Sequence, residues 1–445
     1  MIGKAVLVWF SFLQAISNVD SQSASRFEAE PNLPLEIQTC TVGKGCKRIP
    51  GSITLDANWR SVKDLSGRRD CFNGTAWDKS LCPDPETCAR NCALGTIDYE
   101  KEKIATHGNL VNLKLFKDNG RDGSRIYLLD AQDRYQVFFL LNKELSFDVD
   151  VSRSSCGVAS GIYFSAMKPD GGKSSTNQAG SKYGTGYCDA QGPRDMHFVD
   201  GRANLAIGPA GGEGEVGYAC PELDVWEANS ISQAFTVHNC QDAKATVCRG
   251  EKCRGLCDGP GCDFASFRMG NTSFYGPTKT VDTTKKITVV TQFITSDNTD
   301  NGELVEIRRF YKQGGRIIQN SKVNLPNASP FDSITNQFCD QIETIFGRSG
   351  GFRKLGGLGK MGAAMRNGMV LVMTIWADKV RGMSWLDGEN SDKTHQKPGS
   401  ARGTCPPGAG QPSNMKKHNP DAAVEFSDIR VGPIESNFNF KPQAM

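Results

Sequence analysis

The stretch Leu145 to Ser152, LSFDVDVS, places Leu145, Phe147, Val149 and Val151 at every second position and separates them with Ser146, Asp148 and Asp150. Side chains of a strand point alternately to its two faces, so the pattern predicts a half-buried β-strand. Ile287, Val289, Thr291 and Phe293 alternate in the same way with Thr288, Val290 and Gln292. Outward from these stretches lie short apolar runs rich in β-branched and aromatic residues: Arg125 to Leu129 (RIYLL), Tyr135 to Leu141 (YQVFFLL) and Met369 to Trp376 (MVLVMTIW). They read as strands covered on both faces. The connections are dense in Gly, Asn, Asp and Pro, with no long amphipathic helix and no internal repeat. The expected fold is all-β, a sandwich of two antiparallel sheets.

A chain of 445 residues suggests two or three domains at roughly 150 residues each, although β-sandwiches often run longer as one unit. No Ser/Thr/Pro-rich linker sets off a second module, so one catalytic-sized domain over 22–445 is expected. Lys plus Arg number 52 against 49 Asp plus Glu, a formal charge of +3. This balance argues against nucleic-acid partners held by a basic face and against a polybasic membrane anchor. The even count of 16 Cys suits an oxidising compartment, and 48 Gly suit many tight turns. Lys4 is followed by the apolar run Ala5 to Leu13 and then by small and polar residues, which reads as a secretory signal peptide over 1–21, cleaved after Ser17 or Ser21. The alternative, an anchoring helix, needs ~20 apolar residues, more than this run provides. A secreted, extracellular protein is expected, and Asn73 (NGT), Asn271 (NTS) and Asn327 (NAS) are glycosylation acceptors in such a chain.

The segment Pro221 to Ser230, PELDVWEANS, sets Glu222, Asp224 and Glu227 around Trp226. In a regular strand Glu222 and Asp224 share a face and Glu227 has the opposite parity; one bulge between Asp224 and Glu227 restores it. Three acids on one face raise at least one pKa by mutual repulsion and burial. A retaining glycosidase needs that arrangement, with one carboxylate as nucleophile and a second, protonated, as acid and then base. The same spacing also fits a solvated acidic strand or a calcium site, and the residues alone leave these open. Cys248, Cys253, Cys257 and Cys262 raise the possibility of zinc, but their spacing is not that of a zinc ribbon and an exported chain favours disulfides. Gly357 to Gly362 fits G-x-G-x-x-G without a βαβ setting, so no dinucleotide is expected.

The string from Glu222 to Asn229, continuing to His238 and Cys240, resembles the active-site strand of family 7 glycoside hydrolases, the fungal-type cellobiohydrolases and endoglucanases. Further matching segments are DANWR (Asp56 to Arg60), LCPDPETCARNC (Leu81 to Cys92), FDVDVS (Phe147 to Ser152), KYGTGYCDAQ (Lys182 to Gln191), GNTSFYGP (Gly270 to Pro277), DTTKKITVVTQF (Asp282 to Phe293) and GMVLVMTIW (Gly368 to Trp376). Together they span nearly all of the chain beyond the leader. The resemblance implies a concanavalin-like β-jelly-roll sandwich whose long, disulfide-tied loops form a cellulose-binding cleft. It implies Glu222 as nucleophile, Asp224 as its proton-sharing partner and Glu227 as acid/base. Asp189 and Gln191 are implied beside the nucleophile and His238 near the leaving-group side, where a purely structural histidine is an equal alternative. Trp59, Tyr163, Trp376 and Trp385 are implied to line the cleft, Trp77 to sit in the core, and Arg268 and Arg402 to bind the leaving cellobiose. Family pairing implies the disulfides Cys40–Cys46, Cys71–Cys92, Cys82–Cys88, Cys156–Cys405, Cys188–Cys220, Cys240–Cys257, Cys248–Cys253 and Cys262–Cys339. Cellulose and cello-oligosaccharides are the implied partners of a monomeric enzyme that uses no metal or cofactor and carries no separate cellulose-binding module.

The sequence also departs from the family pattern. Ser25 with Ala93, and Gly192 with Ala219, stand where two disulfides are expected, which predicts lower thermal stability. Three residues separate Cys253 from Cys257, so the roof loop of a closed tunnel is missing there, and Leu205 to Ala219 is short. Gln341 to Arg353 and Asp387 to Cys405 keep a cellobiohydrolase-like length, and Ser61 replaces a tunnel-mouth tryptophan. The expected activity is a cellobiohydrolase with a partly open cleft. The alternatives are an endoglucanase of the same family, a non-catalytic carbohydrate-binding sandwich and a β-1,3-glucanase.

Overall fold

Residues with branched or aromatic side chains fill the longest strands because they pack well on a pleated surface; Met369–Trp376 (MVLVMTIW) is buried along nearly its whole length. The computed structural model of the chain describes residues 23–24, 29–207, 212–348, 350–378, 382–388 and 398–437. Among these, two large sheets face each other. The first orders Leu33–Pro34, Ser52–Leu55, Ser124–Leu129, Met369–Trp376, Ala159–Ser165, Glu222–Ala228, Gln233–His238 and Cys262–Phe264. The second orders Arg316–Gln319, Leu304–Gln313, Ile287–Thr295, Lys143–Asp150, Ala423–Pro433, Leu110–Lys114 and Ile104–His107. Pairing within them is antiparallel except where Arg430 and Val431 run parallel to Gln38 and Thr39. Between the sheets Phe147 meets Trp226 and Phe426 edge-on, with ring centroids 6.3 and 6.4 Å apart. The expected all-β sandwich is the observed fold. No helix among the described residues is long and apolar enough to cross a membrane.

Three local expectations change. The alternation at 145–152 does not mark a half-solvated strand: Glu144 and Ser146 are as buried as Leu145. The chain returns over their face, where Gln292 Nε2 and the backbone N–H of Asn437 donate to Glu144 and Asn437 Nδ2 donates to Ser146 Oγ. In the Tyr135 to Leu141 run only Val137–Phe138 is a strand, and Phe139 is 61 % exposed. Its ring lies against Gly368, where an added Cβ would come within 3.2 Å of it. Helices also occur: Asn336–Ile345 and Gly357–Asn367, the latter burying Leu358, Met361, Ala364 and Met365. That helix holds the glycine-rich motif and follows the helix Gly351–Lys354, with no strand before it. The strand-then-helix setting of a dinucleotide fingerprint is therefore missing here.

Eight disulfides join the same cysteines as the family pairing. Cys248, Cys253, Cys257 and Cys262 are each oxidised, so they offer no thiolates for zinc. Trp77 is buried beside Phe72 and Phe198 as expected. Asn73 and Asn327 are exposed, whereas Asn271 is half-buried and donates Nδ2 to Lys322 O. The leader over 1–21 and Ser25 lie outside the described residues, as do the loop positions 208–211, 349 and 389–397.

Candidate active site

Glu222–Ala228 lies between Ala159–Ser165 and Gln233–His238 in the first sheet. On one side Asp224 pairs with Thr236 and Glu227 with Ala234, so Val225 and Trp226 together oppose Phe235. On the other side Tyr163 pairs with Asp224 and Ile162 with Trp226, passing Val225 by. Val225 is thus the extra residue of a β-bulge. The bulge turns Leu223, Val225, Trp226 and Ala228 into the core, all at most 1 % exposed. Glu222, Asp224 and Glu227 together line one cleft of about 890 Å³.

The acids are held individually. Glu222 Oε2 accepts from the Ala190 backbone N–H at 3.1 Å. Asp224 Oδ2 lies 3.0 Å from His238 Nε2, and His238 Nδ1 donates to the carbonyl of Asp258 at 2.8 Å. With Nδ1 committed as a donor, the Nε2 contact needs one further proton, shared between imidazole and carboxylate. Burial disfavours the His238 cation, but the hydrogen bond and charge of Asp224 outweigh it, and its pKa is pushed up to about 10. Burial, then the charges of Asp224 and Asp189, push Glu222 well above the usual carboxylate range. Burial and then the charge of Asp224 do the same to Glu227. The difference is local: Glu222 receives a backbone donor that favours its anion, while Glu227 feels only burial and charges through space.

Beside Glu222, Asp189 accepts from Tyr187 OH at 2.7 Å and from the Gln191 N–H at 2.8 Å. Tyr187 OH and Tyr163 OH are hydrogen-bonded at 2.9 Å. Gln191 is exposed and spans to Gly259 O at 3.1 Å. His238 touches Asp224 and the Asp258 carbonyl, which makes it a partner of the acids. Trp376 and Trp385 stack in the cleft wall with centroids 5.9 Å apart. Trp59 also lines the cleft, and the Arg125 guanidinium lies 5.3 Å from its ring and 3.2 Å from that of Tyr187.

Near Glu227, Asp263 gathers three arginines. Arg402 Nη1 is 2.9 Å from Oδ2, Arg348 Nη1 is 3.4 Å from Oδ1, and Arg268 Nη1 also binds Oδ1. Burial alone would raise Asp263, but these cations hold its carboxyl well below the usual range. Arg402 lines the cleft, and Arg268 is 6 % exposed, donates Nε to Gly399 O at 3.0 Å and lies over the Phe346 ring. Arg268 thus stands beside Arg402 in one arginine group on Asp263. Arg125, Asp263 and Arg348 carry no signal in the sequence; Arg348 and Asp263 are 85 residues apart, and no motif links them.

Among the described residues one acid and histidine group outside the disulfides has metal-ligand spacing, with atoms of Glu222, Asp224 and His238 within 4.8 Å of one another. A cation there would have to displace the shared His238 proton, so this group fits proton chemistry better than a metal.

The family model described as glycosyl hydrolase family 7 matches residues 24–438. The chain belongs to glycosyl hydrolase family 7. This family 7 chain is 43 % identical to a cellobiohydrolase from Daphnia pulex, at a TM-score of 0.90 over 94 % of this chain and 100 % of that one. It is 37 % identical to a cellobiohydrolase from Melanocarpus albomyces complexed with cellotetraose, at a TM-score of 0.88 over 94 % and 100 % of the two chains. It is 34 % identical to the Humicola insolens endocellulase EGI, at a TM-score of 0.82 over 94 % and 100 %. Both kinds of cellulase thus stand among its family 7 neighbours.

Proposed function

We propose that this family 7 cellulase is a secreted, retaining β-1,4-glucanase, a cellobiohydrolase working through a partly open cleft, with residues 22–445 acting as one catalytic domain and a monomer. The observation that carries the reading is the bulged strand with Glu222, Asp224 and Glu227 in one sugar-sized cleft. Glu222, whose anion the Ala190 N–H supports, attacks the anomeric carbon while Glu227 gives its proton to the departing glycosidic oxygen. The C–O bond to the leaving sugar breaks as the Glu222 ester forms. Glu227, now ionised, takes a proton from water, which attacks the same carbon and frees Glu222. Asp224, tied to His238, exchanges a proton with Glu222 and holds its orientation.

Cello-oligosaccharides suit the stacked Trp376 and Trp385, whose indoles match the apolar faces of glucose rings. The arginine-rich end at Asp263 and the higher similarity to the Daphnia pulex cellobiohydrolase favour exo action. The short span from Cys253 to Cys257 favours the second reading, an endoglucanase. Glu222→Gln and Glu227→Gln are each expected to lower cellotetraose hydrolysis by at least about 1,000-fold while leaving binding in place. Proton NMR of the first products should show the β-anomer. Full activity in either variant, or an initial α-anomer, sinks the mechanism. Rapid viscosity loss of carboxymethylcellulose with little cellobiose released from crystalline cellulose overturns the exo assignment, and a preference for laminarin over cellulose overturns the substrate class.

A further inference from the structure

We propose that Arg309, on the sheet that carries none of the acids, is a positioning residue of the reaction: it pins the bulge that brings Glu227 to the face of Glu222 and Asp224. The inference rests on the acid/base role given to Glu227 above. Val225 is the residue that both neighbouring strands pass by in register, and it is 1 % exposed. A carbonyl buried there without a donor keeps the full cost of its lost hydration. Arg309, itself 1 % exposed on Leu304–Gln313, crosses the interior and donates Nη2 to that carbonyl.

Two contacts aim the guanidinium. Nε donates at 3.1 Å to Oγ1 of Thr291, its cross-strand neighbour. The guanidinium carbon also lies 4.3 Å from the ring centroid of Phe235, the residue that faces the bulge from the adjoining strand. One cation therefore touches both sides of the irregularity. Its hydrogen-bond partners among the described residues are a hydroxyl and a carbonyl, neither of them an acid, so burial of the charge is not offset by an ion pair. An apolar side chain of similar length fills the space without that cost. What the cation adds is a fixed location for Val225. If the strand instead ran regularly, Glu227 would slip to the core face.

Arg309→Met, Arg309→Lys and Thr291→Val test this, with Glu227→Gln as reference. The readout is kcat/KM on cellotetraose, whose leaving group needs a proton, and on dinitrophenyl cellobioside, whose leaving group does not. Arg309→Met is expected to lose at least about tenfold on cellotetraose and to stay within about threefold on the aryl substrate. Arg309→Lys should recover most of the loss, and Thr291→Val should show the same split at smaller size. A general loss of folded protein lowers both substrates alike, so equal losses, or none, overturn the proposal. Should Arg309→Met fail to fold, Thr291→Val carries the same comparison, and equal losses or none in it overturn the proposal just as firmly. If Glu227→Gln itself shows no split, its acid role falls and the proposal with it; if Glu227→Gln shows the split and the other variants do not, the proposal alone falls.

Discussion

Burial disfavours the cation of two histidines, and only His238 has a hydrogen-bonded acid beside it to reverse the effect. His197 lies 4.5 Å from the Phe72 ring and 6.2 Å from Trp77, with no hydrogen-bond partner for Nδ1. Burial, with Arg121 adding to it and Asp56 opposing, pulls its pKa down to about 4. A histidine depressed from ~6.5 supports the fold fully above that pH and loses its contribution as pH falls toward 4, at most roughly 3 kcal/mol. His238, raised to about 10, contributes fully below ~6.5 and loses its contribution as pH rises toward 10. Melting midpoints from pH 3 to 10 should therefore flatten on the acid side in His197→Phe and on the alkaline side in His238→Gln. Unchanged slopes in these variants contradict the assignment. At this scale the three clustered acids were legible because they occupy one short strand, and even the bulge followed from parity. Part of what surrounds them was not: Asp263 and Arg348 meet Arg268 and Arg402 only through the fold, and no motif links them.

Among the elements, the turn near Gly192 shows what replaces a missing crosslink. A Cβ built on Gly192 falls 3.5 Å from the Cβ of Ala219, at the short end of the disulfide range of about 3.5–4.5 Å. The nearby surface is held by ion pairs of Arg194 with Glu213 and Glu251 and of Arg254 with Glu213. Exposed pairs of this kind contribute little. Gly192→Cys with Ala219→Cys should close a bridge worth about 3 kcal/mol, less about 1–2 kcal/mol for a Cys at positive φ, leaving a gain of about 1–3 °C in the melting midpoint. Comparison of the oxidised and reduced double variant measures it, and an oxidised form no more stable than the reduced one refutes it. Strand periodicity picked out Lys143–Asp150 and Ile287–Thr295 but not the two longest strands, Leu304–Gln313 and Ala423–Pro433, and it misjudged exposure, because what covers Glu144 and Ser146 is a tail almost 300 residues away in sequence. The helix at Gly357–Asn367 was missed because its glycines conceal the i, i+3, i+7 spacing of Leu358, Met361 and Met365.

Across the whole molecule the Cys156–Cys405 bridge closes a span of 249 residues. It sits where distant segments converge. Asp387 Oδ2 accepts from the Gly157 N–H and from Asn229 Nδ2, both at 2.7 Å, and Asp387 O accepts from the Cys405 N–H. Trp385 stands on the short helix Ser384–Asp387 that these bonds secure. Cys156→Ser with Cys405→Ser should lower stability by on the order of 5 kcal/mol and weaken cellotetraose binding severalfold. Calorimetric unfolding and binding measure the two effects, and binding unchanged at a lowered midpoint would separate the bridge from the platform. Sheet order and these convergences were out of reach of local patterns, since they depend on pairs hundreds of residues apart, whereas family likeness conveyed the fold and every disulfide. The packing of Trp376 against Trp385 at 5.9 Å and 27° has a spectroscopic consequence. Two indoles so close act as a coupled chromophore, whose near-ultraviolet circular dichroism depends on their mutual angle. If the proposed function holds, a sugar settling against either ring should alter that signal, giving the cleft its own optical reporter, readable without turnover or label in the Glu222→Gln protein that the proposal expects to be inactive.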